Sequence, residues 1–246
     1  MTIVAVSLKM YFERARTLRY CEEVARIAAS VPATAELQMA VYTDFLTVPA
    51  VAQRLAGASV LLGAQDLAPE DRGALTGEVS GADLADLGVR TVEVGHYERR
   101  TVFGEDEQMV AAKTRAALRN GMVPMLCVGE PEQTDPAKAA EACLAHVRSA
   151  VGQAGTDAPL WVGYEPYWAI GAPQPAPVGY VQEVCQALRA GLTELAPTAS
   201  VVYGGSAGPG LLTELVPAVD GVFLGRFAHD PAALEQVVAE ALAVQP

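Results

Sequence analysis

Three residues with complementary acid–base chemistry stand where apolar runs of the sequence end. Lys9 follows the run Ile3–Ser7, His96 follows Thr91–Val94 in "VEVGHYERR", and Glu165 follows Leu160–Tyr164 in "VGYEPYWAIGAP". A carboxylate at the root of a closing loop can take a proton from carbon beside a carbonyl once water is excluded. A neutral imidazole and an ammonium can polarise that carbonyl and stabilise the enediolate that forms. Two glycine turns, "YGGS" at 203–206 and "LGRF" at 224–227, end two further runs. Backbone N–H groups in such turns can hold a phosphate dianion. The set describes proton transfer between adjacent carbons of a small phosphorylated sugar. There is no metal-ligand cluster, no GxGxxG and no Walker-type loop, so neither a metal nor a cofactor is expected.

Taken singly, each residue has an ordinary reading. Lys9 could be a solvated lysine, His96 a satisfied structural histidine, Glu165 an ion-pair partner for an arginine, and Gly204-Gly205 a tight turn. His146, inside "EACLAHVRSA", and His229, beside a helix start, are read as structural. Glu98-Arg99-Arg100 is either a solvated charge cluster or support for the site, and Cys127 in "PMLCVGE" is a small strand residue beneath it. What separate ordinary readings do not explain is that all the chemically capable groups fall at the ends of apolar runs.

The elements that must position them follow from periodicity. Eight runs read as strands: Ile3–Ser7, Leu37–Tyr42, Val60–Ala64, Thr91–Val94, Met122–Val128, Leu160–Tyr164, Ser200–Tyr203 and Gly221–Gly225. They are apolar almost throughout, as parallel strands covered on both faces require. Helical periodicity marks Thr17–Ser30, Asp106–Asn120, Pro136–Val151, Val178–Leu195 and Pro231–Val244, with Asp135-Pro136 and Asp230-Pro231 as helix starts and Asn120-Gly121 as a stop. Eight strand–helix alternations in 246 residues predict a single-domain (β/α)8 barrel spanning 1–246. A doubly wound open sheet is the runner-up. In the barrel, residues far apart in sequence, including Gln65 and Asp66 after the third strand, converge on one mouth.

Bulk composition narrows the partners. With 17 Lys and Arg against 29 Asp and Glu, a net charge of −12 argues against nucleic acid and anionic membranes as partners. No run approaches the ~20 apolar residues of a membrane span, the N-terminus lacks a signal-peptide pattern, and the four cysteines have neither CxxC nor metal spacing. A cytoplasmic setting is expected.

In order along the chain, "GAQDLAPEDRGALTGEVS" (63–80), "VEVGHYERR" (92–100), "VPMLCVGE" (123–130), "YEPYWAIG" (164–171), "YGGS" and "DGVFLG" (220–225) resemble the blocks of triosephosphate isomerase, over nearly the whole chain. The resemblance implies a TIM barrel and glycolytic or gluconeogenic sugar-phosphate chemistry. That family is a familiar example of tuned acid–base catalysis, and the roles that follow are implied by the resemblance alone. Glu165 would be the base, neutral His96 the electrophile and Lys9 the electrostatic stabiliser. Pro166–Gly171 would belong to a closing lid, and backbone N–H groups of Gly171, Ser206, Gly225 and Arg226 would hold phosphate. Glu98 and Cys127 would support the site from behind, and the loop around Leu75-Thr76-Gly77 would make a homodimer.

Four departures concern the substrate. The family's Asn-Trp-Lys-Met-Asn reads Ser7-Leu8-Lys9-Met10-Tyr11, so a substrate-facing asparagine has become Ser7. The serine after the histidine is Tyr97, the lid's Gly-Thr-Gly is Gly171-Ala172-Pro173, and a Gly-Gly is Gly225-Arg226. The first reading is interconversion of dihydroxyacetone phosphate and glyceraldehyde 3-phosphate. Ser7 and Arg226 resemble a branch of the family that isomerises erythrulose phosphates, and this is the alternative. Replacing Asn by Ser frees about the volume of a hydroxymethyl group, a difference worth on the order of 1–3 kcal/mol; Tyr97 argues against it unless it points away. A barrel that binds sugar phosphate without catalysis is the third reading.

Overall fold

The apolar runs become eight parallel strands in a computed structural model that describes residues 1–152, 155–172 and 175–244. In chain order these are β1 (Thr2–Ser7), β2 (Leu37–Thr43), β3 (Val60–Ala64), β4 (Thr91–Val94), β5 (Val123–Val128), β6 (Trp161–Tyr164), β7 (Ser200–Tyr203) and β8 (Gly221–Leu224). Around them lie α1 (Arg14–Ala29), α2 (Val48–Arg54), α3 (Gly81–Asp86), α4 (Tyr97–Thr101), α5 (Glu107–Arg119), α6 (Pro136–Val151), α7 (Val178–Leu195), α8 (Leu211–Leu215) and α9 (Pro231–Ala243). The predicted strands are all present, with ends within a residue or so. Of the helices, α1 starts earlier than its apolar periodicity suggests. The short α2, α3, α4 and α8 escape a pattern search because five to seven residues hold too few turns to show a period.

Each strand pairs with the next, and β8 pairs with β1, so the sheet closes into a barrel. At that seam Gly221 faces Ile3, and a Cβ at 221 would lie 1.9 Å from the Ile3 carbonyl oxygen, so only glycine fits. Strand residues alternate between two cores. Val4, Val6, Val41, Val92, Val94, Leu126 and Val162 join the large core shared with the helices. Ala5, Tyr42, Met125, Cys127, Trp161, Val202 and Phe223 pack together inside the barrel. The Tyr42 ring crosses that interior, with its hydroxyl 2.8 Å from Thr91 Oγ1. It occupies the space beside Gly63, where a Cβ would come within 2.5 Å of the ring. Among the described residues these side chains fill the interior, and the mouth at the strands' C-terminal ends is where a barrel of this kind takes a ligand.

The anticipated helix starts carry the caps that the sequence suggests. Asp135 and Asp230 accept backbone N–H groups of α6 and α9, each with proline in the first turn, and Asp106 does the same for α5. Among the described residues no helix is long and apolar enough to cross a membrane.

Candidate active site

Glu165 is the first residue past β6, its N–H bonded to the Val128 carbonyl at 2.8 Å. Two glycines make room for it. A Cβ at Gly129 would lie 1.8 Å from the Glu165 carbonyl oxygen, and one at Gly204 would lie 2.9 Å from Glu165 Cγ. The residue is 2 % exposed, and its Oε2 has no hydrogen-bond partner. Burial pushes the carboxyl pKa up to about 7, against the pull of the Lys9 charge and the Tyr97 N–H. A carboxylate balanced near neutrality can accept a proton and return it with little cost either way.

His96 ends the β4 turn and caps α4: its Nδ1 accepts the Glu98 N–H at 3.2 Å. An accepting Nδ1 carries no proton, so the neutral ring is protonated on Nε2. Nε2 points at Glu165 Oε1, 3.5 Å away. Burial, and then the Lys9 charge, push the imidazole pKa down to about 3, so the ring is neutral at physiological pH. It can therefore present an N–H to a developing oxyanion.

Lys9 is the one non-glycine residue with positive φ (46°) among those described. Three contacts hold this turn. Gln65 Nε2 donates to the Lys9 carbonyl at 3.0 Å, His229 Nε2 lies 3.0 Å from the Ser7 carbonyl oxygen, and the Lys9 ammonium bonds Glu98 Oε1 at 3.0 Å. Burial works against the ammonium, but Glu165 and Glu98 outweigh it and raise its pKa. Glu98 thus touches Lys9 directly as well as sitting behind His96. His229 packs on Phe12 at a ring separation of 4.7 Å. His146 is remote, 3.8 Å from Glu107.

One cavity of about 230 Å³ gathers the anticipated residues: Ser7, Lys9, His96, Glu98, Glu165, Gly171, Ser206, Gly225 and Arg226. Cys127 lies beneath it, fully buried, with its thiol pKa pushed up by burial. Tyr97 does not fill the cavity. Its ring packs on Tyr167, 5.1 Å between centroids, on the root of the lid segment. Arg226 is at the rim, its guanidinium 5.6 Å from the Tyr11 ring. Of the lid's altered end, Ala172 is described and Pro173 lies outside the described residues.

Two carboxylates escape the sequence reading. Glu130 ends the β5 turn, and its Oε1 accepts from Trp168 Nε1 at 2.7 Å, Tyr180 OH at 3.0 Å and Tyr164 OH at 3.1 Å. It ties the short helical turn Tyr167–Ala169 to β6 and α7. The strand-end rule that picks out Glu165 also picks out Glu130. Glu93 is different: it stands inside β4 between Val92 and Val94, 4 % exposed, and points into the barrel. Its signal is a charge in the middle of a four-residue apolar strand.

A family model described as triosephosphate isomerase matches residues 2–241. An L-erythrulose-1-phosphate isomerase of Pectobacterium atrosepticum is 47% identical over 245 residues, covering 97% of this chain and 95% of that protein. A triosephosphate isomerase of Chloroflexus aurantiacus is 36% identical, covering 96% and 97%. Another, of Moorella thermoacetica, is 35% identical with the same coverage.

Proposed function

The chain belongs to the triosephosphate isomerase family, and from that premise we propose that it isomerises a small ketose phosphate through an enediolate, with a four-carbon substrate of the L-erythrulose 1-phosphate type favoured. The observation that carries the chemistry is the 3.5 Å approach of Glu165 Oε1 to His96 Nε2, beside the Lys9 ammonium. In the reaction Glu165 takes the proton from the hydroxyl-bearing carbon next to the carbonyl. His96 Nε2–H and Lys9 hold the oxyanion that forms. Glu165 returns the proton to the neighbouring carbon, and a hydroxyl proton moves between the two oxygens. For L-erythrulose 1-phosphate the carbonyl passes from C2 to C3, giving a tetrulose 4-phosphate. Phosphate sits at the end of the mouth formed by Gly171, Ser206, Gly225 and Arg226. The lid that begins at Pro166 keeps water out.

Relative to dihydroxyacetone phosphate, this tetrulose phosphate carries one extra hydroxymethyl group, on the carbon that loses its proton. Ser7 at the mouth and the 47% identical relative support it over the triose. Tyr97 is no obstacle, because it packs on Tyr167. The triose is the second reading, supported by the relatives that bear that name and by Glu165, His96 and Lys9, which serve either substrate equally. Measuring kcat/KM for both substrates side by side tests the ranking. A preference for the tetrulose of about 10-fold or more is expected from one well-fitted hydroxymethyl group; a clear preference for the triose reverses it.

A homodimer fits the surface. Met10 and Phe103, 95% and 64% exposed, rim a second cavity beside the mouth, and the loop around Leu75-Thr76-Gly77 of another copy would cover them. Sedimentation analysis should give twice the mass of the chain. The four cysteines, all buried free thiols, suit a reducing cytoplasm.

A further inference from the structure

Glu93 is a buried carboxyl for which the reaction as described has no use. Its Oε1 has no hydrogen-bond partner. Among the described residues no cation pairs with it, since the nearby Lys9 ammonium is bonded to Glu98. A buried carboxyl with one oxygen unpartnered is costly, and an apolar side chain of similar size would serve stability better. Burial pushes its pKa up to about 8; the Ser7 hydroxyl and Lys9 pull it down, and Glu165 and Glu98 push it up. At neutral pH it is therefore mostly a neutral acid, with an O–H to donate and a carbonyl oxygen to accept.

Its position gives that capacity a direction. A second cavity, of about 290 Å³, is lined by Glu93 and Gln65 together with Ser7, Lys9, His96 and Glu98. The last four also line the cavity that holds Glu165 and the phosphate-end glycines. The two cavities thus meet at the reacting centre, and the second extends from it on the side away from Gly171 and Gly225. A substrate anchored by its phosphate and lengthened at its other end runs past Ser7 into this space. The exposed rim at Met10 and Phe103 is the part a second copy would cover; Ser7 and Glu93, both buried, form the floor.

We propose that Ser7 and Glu93 form a subsite for the terminal hydroxymethyl group of a four-carbon sugar phosphate, with the Glu93 carboxyl hydrogen-bonding its hydroxyl. The proposal rests on the isomerase reading above and makes Glu93 a specificity residue, with no part in the proton transfer. A site built to bond a hydroxyl discriminates against the analogue that lacks it, because its own polar groups are then left unpaired.

The test compares kcat/KM for L-erythrulose 1-phosphate and dihydroxyacetone phosphate in the unmodified protein, Glu93→Leu and Glu93→Gln. Glu93→Leu should lower the tetrulose value by about 10–100-fold and the triose value by less than about 3-fold. Glu93→Gln, which keeps a donor and an acceptor, should recover most of the tetrulose activity. Equal losses on both substrates, or none on the tetrulose, overturn the subsite while leaving the isomerase reading intact. No tetrulose turnover by the unmodified protein overturns the four-carbon reading and the subsite together. A measurement on the unmodified protein does not depend on whether the leucine variant folds. Ser7, Lys9, Gln65, His96 and Glu98 line the same cavity as Glu93. Because Glu165, His96 and Lys9 act on both substrates, their titration cancels in the ratio of the two kcat/KM values. Comparing the two substrates in each variant therefore isolates what Glu93 does for the fourth carbon.

Discussion

Two carboxyls, Glu93 and Glu165, point into the same barrel, and both are almost wholly buried with one oxygen unpartnered. Burial raises both pKa values, to about 8 and about 7. Their placement in the chain separates them. Glu165 sits just past the end of β6, where two glycines make room for it. Glu93 sits inside β4, its backbone fixed by pairing with Met125. A strand-end group can move with a loop and reach a reacting atom; a mid-strand group can only present a fixed surface. The same side chain in one interior can thus serve as a base that gains and loses a proton or as a fixed hydrogen-bonding group.

The strongest way to break that comparison is to remove the charge from Glu165. Glu165→Gln preserves shape and should lower kcat on either substrate by about 10²–10⁴-fold, the range for loss of a positioned base. Circular dichroism and the thermal melt should show an intact fold. Comparable turnover in the variant would mean that another group takes the proton. A smaller effect comes from pH alone. A base with a pKa of about 7 is mostly protonated at pH 6, so kcat/KM there should be about tenfold below its plateau. An acid limb centred near 4.5 would mean that Glu165 does not feel the burial seen in the structure.

The sequence shows the first carboxyl plainly and hides the second, and physics explains why. Lys9, His96 and Glu165 break apolar runs at their ends, and the barrel's rule that strand ends share one mouth brings them together. The closing contacts are non-local and leave no local trace: Tyr42 filling the space beside Gly63, or Gly129 yielding to the Glu165 backbone. The direction of the Tyr97 ring is set by packing on Tyr167, which spacing does not reveal. Glu93 breaks its run in the middle, where a charge reads as an interruption of the strand. Only the alternation of inward and outward residues in β4, fixed by barrel closure, shows that it enters the interior beside Ser7.

An effect of the same size as that of pH sharpens the comparison most. Ser7→Asn should leave Glu165, His96 and Lys9 in place while adding about two heavy atoms between the reacting centre and Glu93. The new amide would occupy the route into the second cavity and could donate to the unpartnered Oε1 of Glu93. The ratio of tetrulose to triose kcat/KM should then fall by about tenfold, the weight of one fitted group. Triose turnover should stay within about threefold, because the proton-transfer groups are untouched. An unchanged ratio would place the fourth carbon elsewhere in the mouth and separate Glu93 from substrate choice. An equal loss on both substrates would mean that Ser7 touches the part of the substrate both sugars share. The expected pattern instead assigns the two ends of the cavity different tasks, with the strand-end carboxylate running the reaction and the mid-strand acid measuring the length of what it receives.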